Sequence, residues 1–217
     1  MNKLWEKKII RGKVAEMLHG IIAHCPCHRQ RLALYAGAAV MLLSACADSE
    51  YSNYPCHLVI NNSTMQNMTL GSAMNAMSPG VFCRISRDGK TRFKFETNQN
   101  SEPSYGMLTA IDQKAQWTIG IYNAIIVGFG NQTGKFYAYD SQCRNCYESS
   151  GLTRYALTMN TDGTATCRYC HRVYDMNSGG ILIKGDKGRG MIEYRGNTTG
   201  TFGILIVNIC LGLNPNR

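Results

Sequence analysis

The chain has 217 residues, enough for one domain with its own core plus a leader, and it is unusual only in its ten Cys, 22 Gly and formal net charge of +9. That charge does not mark a nucleic-acid binder. Residues 1–45 hold seven Lys/Arg against two Glu, a net +5, and the rest of the excess is scattered singly, without the basic stripe that phosphate contacts need.

The first element in chain order is a leader. Leu32 to Leu43 (LALYAGAAVMLL) carries no charge, follows Arg29 and Arg31, and ends in Leu43-Ser44-Ala45-Cys46. A basic flank, a short apolar run and small residues before a cut are the pattern of a secretory signal. The run is too short to span a bilayer, which takes about 20 apolar residues. Leu-Ser-Ala-Cys resembles the bacterial lipobox, which implies that the Cys46 sulfur receives diacylglycerol and becomes the mature N-terminus. The expectation is a signal peptide over 1–45 and a chain anchored by lipid in the cell envelope, at the outer membrane or the periplasmic face. There it would serve a protein partner that the sequence does not identify. Met17 is the expected working start, because segment 1–16 adds charge without improving the signal. Cys25 and Cys27 then belong to the leader. Export also places the remaining cysteines where disulfides persist.

Beyond Cys46 the periodicity predicts mostly strands: His57–Ile60, Val81–Ser86, Arg92–Phe95, Ile125–Phe129, Phe136–Tyr139, Gly180–Ile183 and Thr201–Asn208. Each is short, rich in β-branched or aromatic residues and bounded by turn formers. Arg92-Phe93-Lys94-Phe95 alternates as a half-buried strand does. One short helix is expected over Thr69–Met77, with Leu70, Ala73, Met74 and Met77 on one face and Pro79-Gly80 ending it. The predicted class is all-β, with residues 50–130 as the base and residues 131–185 carrying a metal.

The metal expectation rests on Cys143-Arg144-Asn145-Cys146 and Cys167-Arg168-Tyr169-Cys170. Each Cys-x2-Cys pair can fold as a tight knuckle that aims two thiolates at one point. The 20 residues between them suffice for a hairpin, with Thr158–Cys167 supplying a return around Asn160, Asp162 and Gly163. Two knuckles side by side give an S4 site, suited to zinc or iron. Two structural disulfides are the alternative. A thioredoxin-like role needs a Cys-x2-Cys that opens a helix within a βαβ unit, and neither pair is followed by a helical pattern.

The segments Phe136-Tyr137-Ala138-Tyr139-Asp140-Ser141-Gln142-Cys143 and Cys167-Arg168-Tyr169-Cys170-His171-Arg172-Val173-Tyr174-Asp175-Met176-Asn177-Ser178-Gly179-Gly180 resemble the two loops of a Rieske domain. In that family a Cys-x-His loop and a Cys-x2-His loop hold a [2Fe–2S] cluster. Cys143 and Cys167 fall on the family cysteines, whereas Asn145 and Cys170 stand where the histidines belong. The resemblance covers residues 133–185. It implies a Rieske-like antiparallel β-sandwich or barrel over 46–217, with a rubredoxin-like or zinc-ribbon-like subdomain over 133–185. Ala73–Ser86 and Gly196–Leu205 are similar to stretches of lipoproteins from gut Bacteroidota. Imidazole ligands raise a Rieske potential by hundreds of millivolts, so high-potential electron transfer is not implied here. One centre is expected, either [2Fe–2S] or Zn(II), with a single iron also open. The function expected is an electron-transfer module or a zinc-stabilised interaction lipoprotein.

Other features stay structural. His171 is expected to be exposed or to sit behind the ligands, and His57 has no partner motif. Gly185–Gly190 lacks P-loop spacing and reads as a solvated hairpin turn. Cys56, Cys83 and Cys210 are left over, and a Cys56–Cys83 disulfide is the expected pairing. No nucleophile–base pair and no paired catalytic carboxylates are visible.

Overall fold

The protein was analysed as a computed structural model that describes residues 51–208 apart from Gln116. The leader, Cys46, Cys25, Cys27 and Cys210 lie outside the described residues.

Twelve strands, four short α-helices and one 3-10 turn (Met176–Ser178) are described. Strands β1 (His57–Asn61), β2 (Phe82–Asp88), β3 (Arg92–Thr97), β4 (Ser104–Met107), β5 (Ala124–Phe129), β6 (Phe136–Asp140), β11 (Glu193–Thr198) and β12 (Ile204–Asn208) form one antiparallel sheet, ordered β1-β12-β11-β6-β5-β2-β3-β4. A second sheet runs β10-β9-β8-β7, from β7 (Leu157–Met159), β8 (Thr164–Cys167), β9 (Val173–Asp175) and β10 (Ile181–Lys184). The helices are α1 (Asn62–Met65), α2 (Met68–Ala73), α3 (Ala110–Lys114) and α4 (Arg144–Ser150).

The large sheet curls. Flat, its outer strands would lie about 34 Å apart at the usual strand spacing. Instead Leu58 and Ile60 of β1 share one buried cluster with Phe93 and Phe95 of β3, Ile85, Ile125, Val127, Leu205 and Val207. Helices α1 and α2 bridge the two ends of the sheet. Asn67 caps α2 by accepting from the Leu70 N–H, and its amide donates to Ser104 Oγ of β4 at 3.0 Å. Alternation sets the faces where one side is wet: in β12, Leu205 and Val207 are fully buried and Ile204 and Ile206 are exposed.

Strand β5 breaks that alternation, with Ala124, Ile125, Ile126 and Val127 all buried. Its inward residues fill the curled sheet. Ile126 on the other face packs with Phe82, Tyr137 and Tyr139 beneath the four-stranded sheet. Burial on both faces explains a continuous apolar run in an antiparallel strand.

The predicted division between base and metal-bearing segment needs correction. Strands β6, β11 and β12 belong to the base sheet, and the second sheet is an insertion between the neighbouring strands β6 and β11. The predicted helix is shorter: Leu70, Ala73 and Met74 are buried as expected, but the helix stops at Ala73 and Met77 is 88% exposed. The strand expected from Thr201 begins at Ile204, because the residues before it turn the chain back from β11. Gly185–Gly190 is an exposed connection from β10 to β11 rather than a hairpin turn.

The predicted Cys56–Cys83 disulfide is absent: both are free, buried thiols. Cys56 precedes the edge strand β1, whereas Cys83 lies in β2 among the central strands, where its Sγ donates to the Arg84 carbonyl at 3.6 Å. Burial pushes the Cys56 thiol up to about 12 and raises that of Cys83 as well, which disfavours the thiolate of each in the folded protein.

Candidate metal centre

The first pair of cysteines sits where β6 leaves the base sheet. Asp140, Ser141, Gln142 and Cys143 are all fully buried, which fixes the exit of the chain. The Asp140 carboxylate accepts from the backbone N–H groups of Ile121 (2.5 Å), Gln142 (2.7 Å) and Tyr122 (3.4 Å), and from the Tyr194 hydroxyl at 2.7 Å. Gly120, at φ 66°, allows that approach, since a side chain there would collide with the carboxylate. Burial raises the Asp140 pKa, and the four donors pull against it.

Cys143 then stands at the N-cap position of α4 without a side-chain capping bond, and Cys146 is the buried residue of the first turn. This corrects two expectations. The first pair is a helix start and not a knuckle, and a helix does follow a Cys-x2-Cys here. No apolar stripe announced it, because Cys146 is the helix's buried residue. The surroundings remain antiparallel, so this is not the βαβ setting of a thioredoxin site. The second pair does form a knuckle, between β8 and β9. The Cys167 N–H donates to the Arg172 carbonyl and the His171 N–H to the Cys167 carbonyl, both at 2.9 Å, with His171 at φ 56°. His171 is exposed, as expected, and His57 bonds Asn208.

These two supports bring all four sulfurs within 4.8 Å of one another, and Cys143–Cys170 and Cys146–Cys167 approach to 3.7 Å. Metal–sulfur bonds of about 2.3 Å to a tetrahedral ion place the sulfurs about 3.8 Å apart. The residues present therefore fit a single metal ion. Cys143, Cys146 and Cys167 are buried, and Cys170 is the one nearest solvent. Sequence reasoning named all four.

It missed the groups that hold them. Tyr174, fully buried, places its hydroxyl 3.3 Å from Cys143 Sγ. The Asn145 amide donates to the Tyr174 oxygen at 2.9 Å, which leaves the phenol's own proton for the sulfur. Asn145 is fixed in turn by the Arg189 backbone, accepting from its N–H at 2.9 Å and donating to its carbonyl at 2.8 Å. Thus Asn145 secures a hydrogen bond to one of the four sulfurs. Burial raises the Tyr174 pKa and keeps it a donor.

The thiols differ in acidity. Burial pushes Cys143 up to about 11, against the Tyr174 hydrogen bond, and also raises Cys146. Burial works against the Cys170 thiolate too, but hydrogen bonds from the Arg172 backbone and guanidinium overcome it and hold Cys170 at about 7. In metal-free protein at pH 7.5, iodoacetamide is therefore expected to label Cys170 first and Cys143 far more slowly. Peptide mapping after brief exposure reads this, and first labelling at Cys143 would contradict it.

No known protein family and no curated protein matches this sequence. Among solved structures, a chain from a complex of reduced oxygenase and oxidized ferredoxin in carbazole 1,9a-dioxygenase is similar at 12% identity and a TM-score of 0.29. The match covers 72% of this chain and 92% of that one. At that TM-score, fold and function rest on this chain's own residues.

Proposed function

We propose that this protein is a lipid-anchored envelope protein whose Rieske-like domain holds one metal ion on Cys143, Cys146, Cys167 and Cys170 and passes single electrons to an envelope partner. The carrying observation is the four-sulfur cage, compact and complete, with every sulfur within 4.8 Å of the others. A [2Fe–2S] cluster would spread thiolates on different irons to roughly 5.5 Å or more, two metal–sulfur bonds being added to the gap between the irons. The cage therefore favours a rubredoxin-like single iron over the cluster that the Rieske resemblance implies. Four protein ligands also leave no open position for substrate, which sets hydrolytic chemistry aside.

Bound iron supplies one reversible redox step. The residues around it tune and expose that step. The Tyr174 hydroxyl and the backbone N–H groups of Cys146 and Arg172 bond the sulfurs and favour the more negative, reduced state. Cys170 lies toward solvent beside Tyr169, which is 67% exposed, and marks the side where a partner can approach. The anchor is supported by Leu43-Ser44-Ala45-Cys46.

A structural zinc site is the second reading. Its supporting observation is that three of the thiols are themselves part of the core between the two sheets.

Voltammetry of the iron-loaded full-length protein should give a reversible one-electron wave, moved to more negative potential by Tyr174→Phe. Protein isolated from its native envelope that is colourless and holds only zinc would hand the function to the second reading. For the anchor, labelled palmitate should enter the wild type and not Cys46→Ser, and equal labelling would contradict it.

A further inference from the structure

Beside the metal centre lies a cleft of about 420 Å³, lined by Arg84, Arg154, Arg168, Tyr155, Tyr169 and, at its floor, Leu157 and Cys167. Its volume falls in the range of small-molecule sites, roughly 300–1,000 Å³. Arg84 leaves β2 on the face toward the second sheet and donates through Nη2 to the Leu157 carbonyl. Its Nη1 stands 3.8 Å from Glu96, and its side chain is only 18% exposed. The Nε–H is buried and has no partner in the protein. A buried donor left unbonded is costly, more so on a charged group.

Arg154 is held at the rim by Tyr155, its guanidinium 5.3 Å from the ring centroid and donating to the hydroxyl at 3.3 Å. Tyr155 packs against Tyr169 at 4.5 Å between centroids. Arg168 is exposed on the knuckle. Three guanidinium groups thus line one concavity and meet a single carboxylate, Glu96. They are not all needed to offset the thiolates, since the guanidinium that bonds a cysteine sulfur is that of Arg172.

We propose that this cleft binds a small oxyanion, a carboxylate or phosphate, through Arg84, Arg154 and Arg168. The arginine fork matches such groups in geometry as well as charge. Concavity favours a small ligand over a flat protein surface. The cleft adjoins the four-sulfur cage at Cys167, but its three arginines are not part of that cage, and the site does not depend on which metal fills it.

Calorimetric titration of the metal-loaded full-length protein with malonate and with inorganic phosphate, at low salt, tests the idea. At least one should bind with one-to-one stoichiometry, and Arg154→Ala and Arg168→Ala should each weaken it by roughly 10-fold to 100-fold. Arg84→Met should weaken it further, and Arg92→Ala, remote and paired with Asp88, should change nothing. The exposed pair keeps the test decisive if Arg84→Met fails to fold. Absence of binding at millimolar concentration, or binding indifferent to all three substitutions, overturns the proposal. Capture of polyglutamate alone, with neither small anion bound, would also overturn it and would mark the cleft as part of a protein interface.

Discussion

Cys167→Ser is expected to release the metal and unfold the inserted sheet while leaving the curled sheet intact. The buried cluster between the sheets contains Cys143, Cys146 and Cys167 themselves, and from the insertion it otherwise draws mainly on Tyr155, Leu157, Ala165, Tyr174 and Met176. So small an apolar set cannot order four strands of three or four residues each. Structural zinc in finger peptides supplies about 10–16 kcal/mol at neutral pH, comparable with the whole stability of an ordinary domain. Hydrogen exchange should show lost protection at the bonded amides of Leu157, Cys167, His171 and Met176. Amides of β2, β3 and β5, over the separate larger core, should keep theirs. Unchanged protection in the insertion would mean that no metal holds it. Acid should act as the substitution does, because protons compete with the ion for the thiolates and affinity falls as pH falls.

Asp140→Ala should cost about 3–5 kcal/mol, enough to leave the domain marginal, because it strands three backbone N–H groups and the Tyr194 hydroxyl in the interior. Removing a buried carboxylate recovers some desolvation, which keeps the loss below the sum of four orphaned donors. The pH dependence has a definite sign. Burial raises the folded-state pKa of Asp140 above its unfolded value. Its contribution is therefore full below the unfolded carboxylate value and diminishes as pH rises through the folded one. That trend opposes the acid-induced loss of metal and should vanish in the variant. Urea unfolding of wild type and variant across that window measures both effects. A loss under about 1 kcal/mol at neutral pH would show that the donors find other acceptors.

The sequence made the site more legible than its supports. Two Cys-x2-Cys pairs named the four cysteines that the fold brings together, although the first pair opens a helix where the spacing suggested a knuckle. Strands with a wet face, such as β3 with Phe93 and Phe95 inward and Arg92 and Lys94 outward, were readable from alternation. Strand β11 was hidden by Gly196, which packs on Ala138 and Phe136 where a side chain would not fit. Strand β4 was hidden by Gly106 and its four-residue length. The order in which β11 slips between β6 and β12 is a matter of tertiary pairing that no local pattern encodes. The same holds for Tyr174 reaching Cys143 and Arg84 reaching Leu157, which join residues 31 and 73 positions apart. The misjudged disulfide has a related cause: counting leftover cysteines says nothing of whether their backbones meet.

The most direct test of the central claim is mass spectrometry on the full-length protein, isolated without oxygen and without added metal. Native and denaturing spectra together count metal ions and thiols. The account predicts one zinc or iron per chain, lost on denaturation, with Cys143, Cys146, Cys167 and Cys170 all recovered as free thiols. A metal-free protein in which those four cysteines are joined as two disulfides would contradict it.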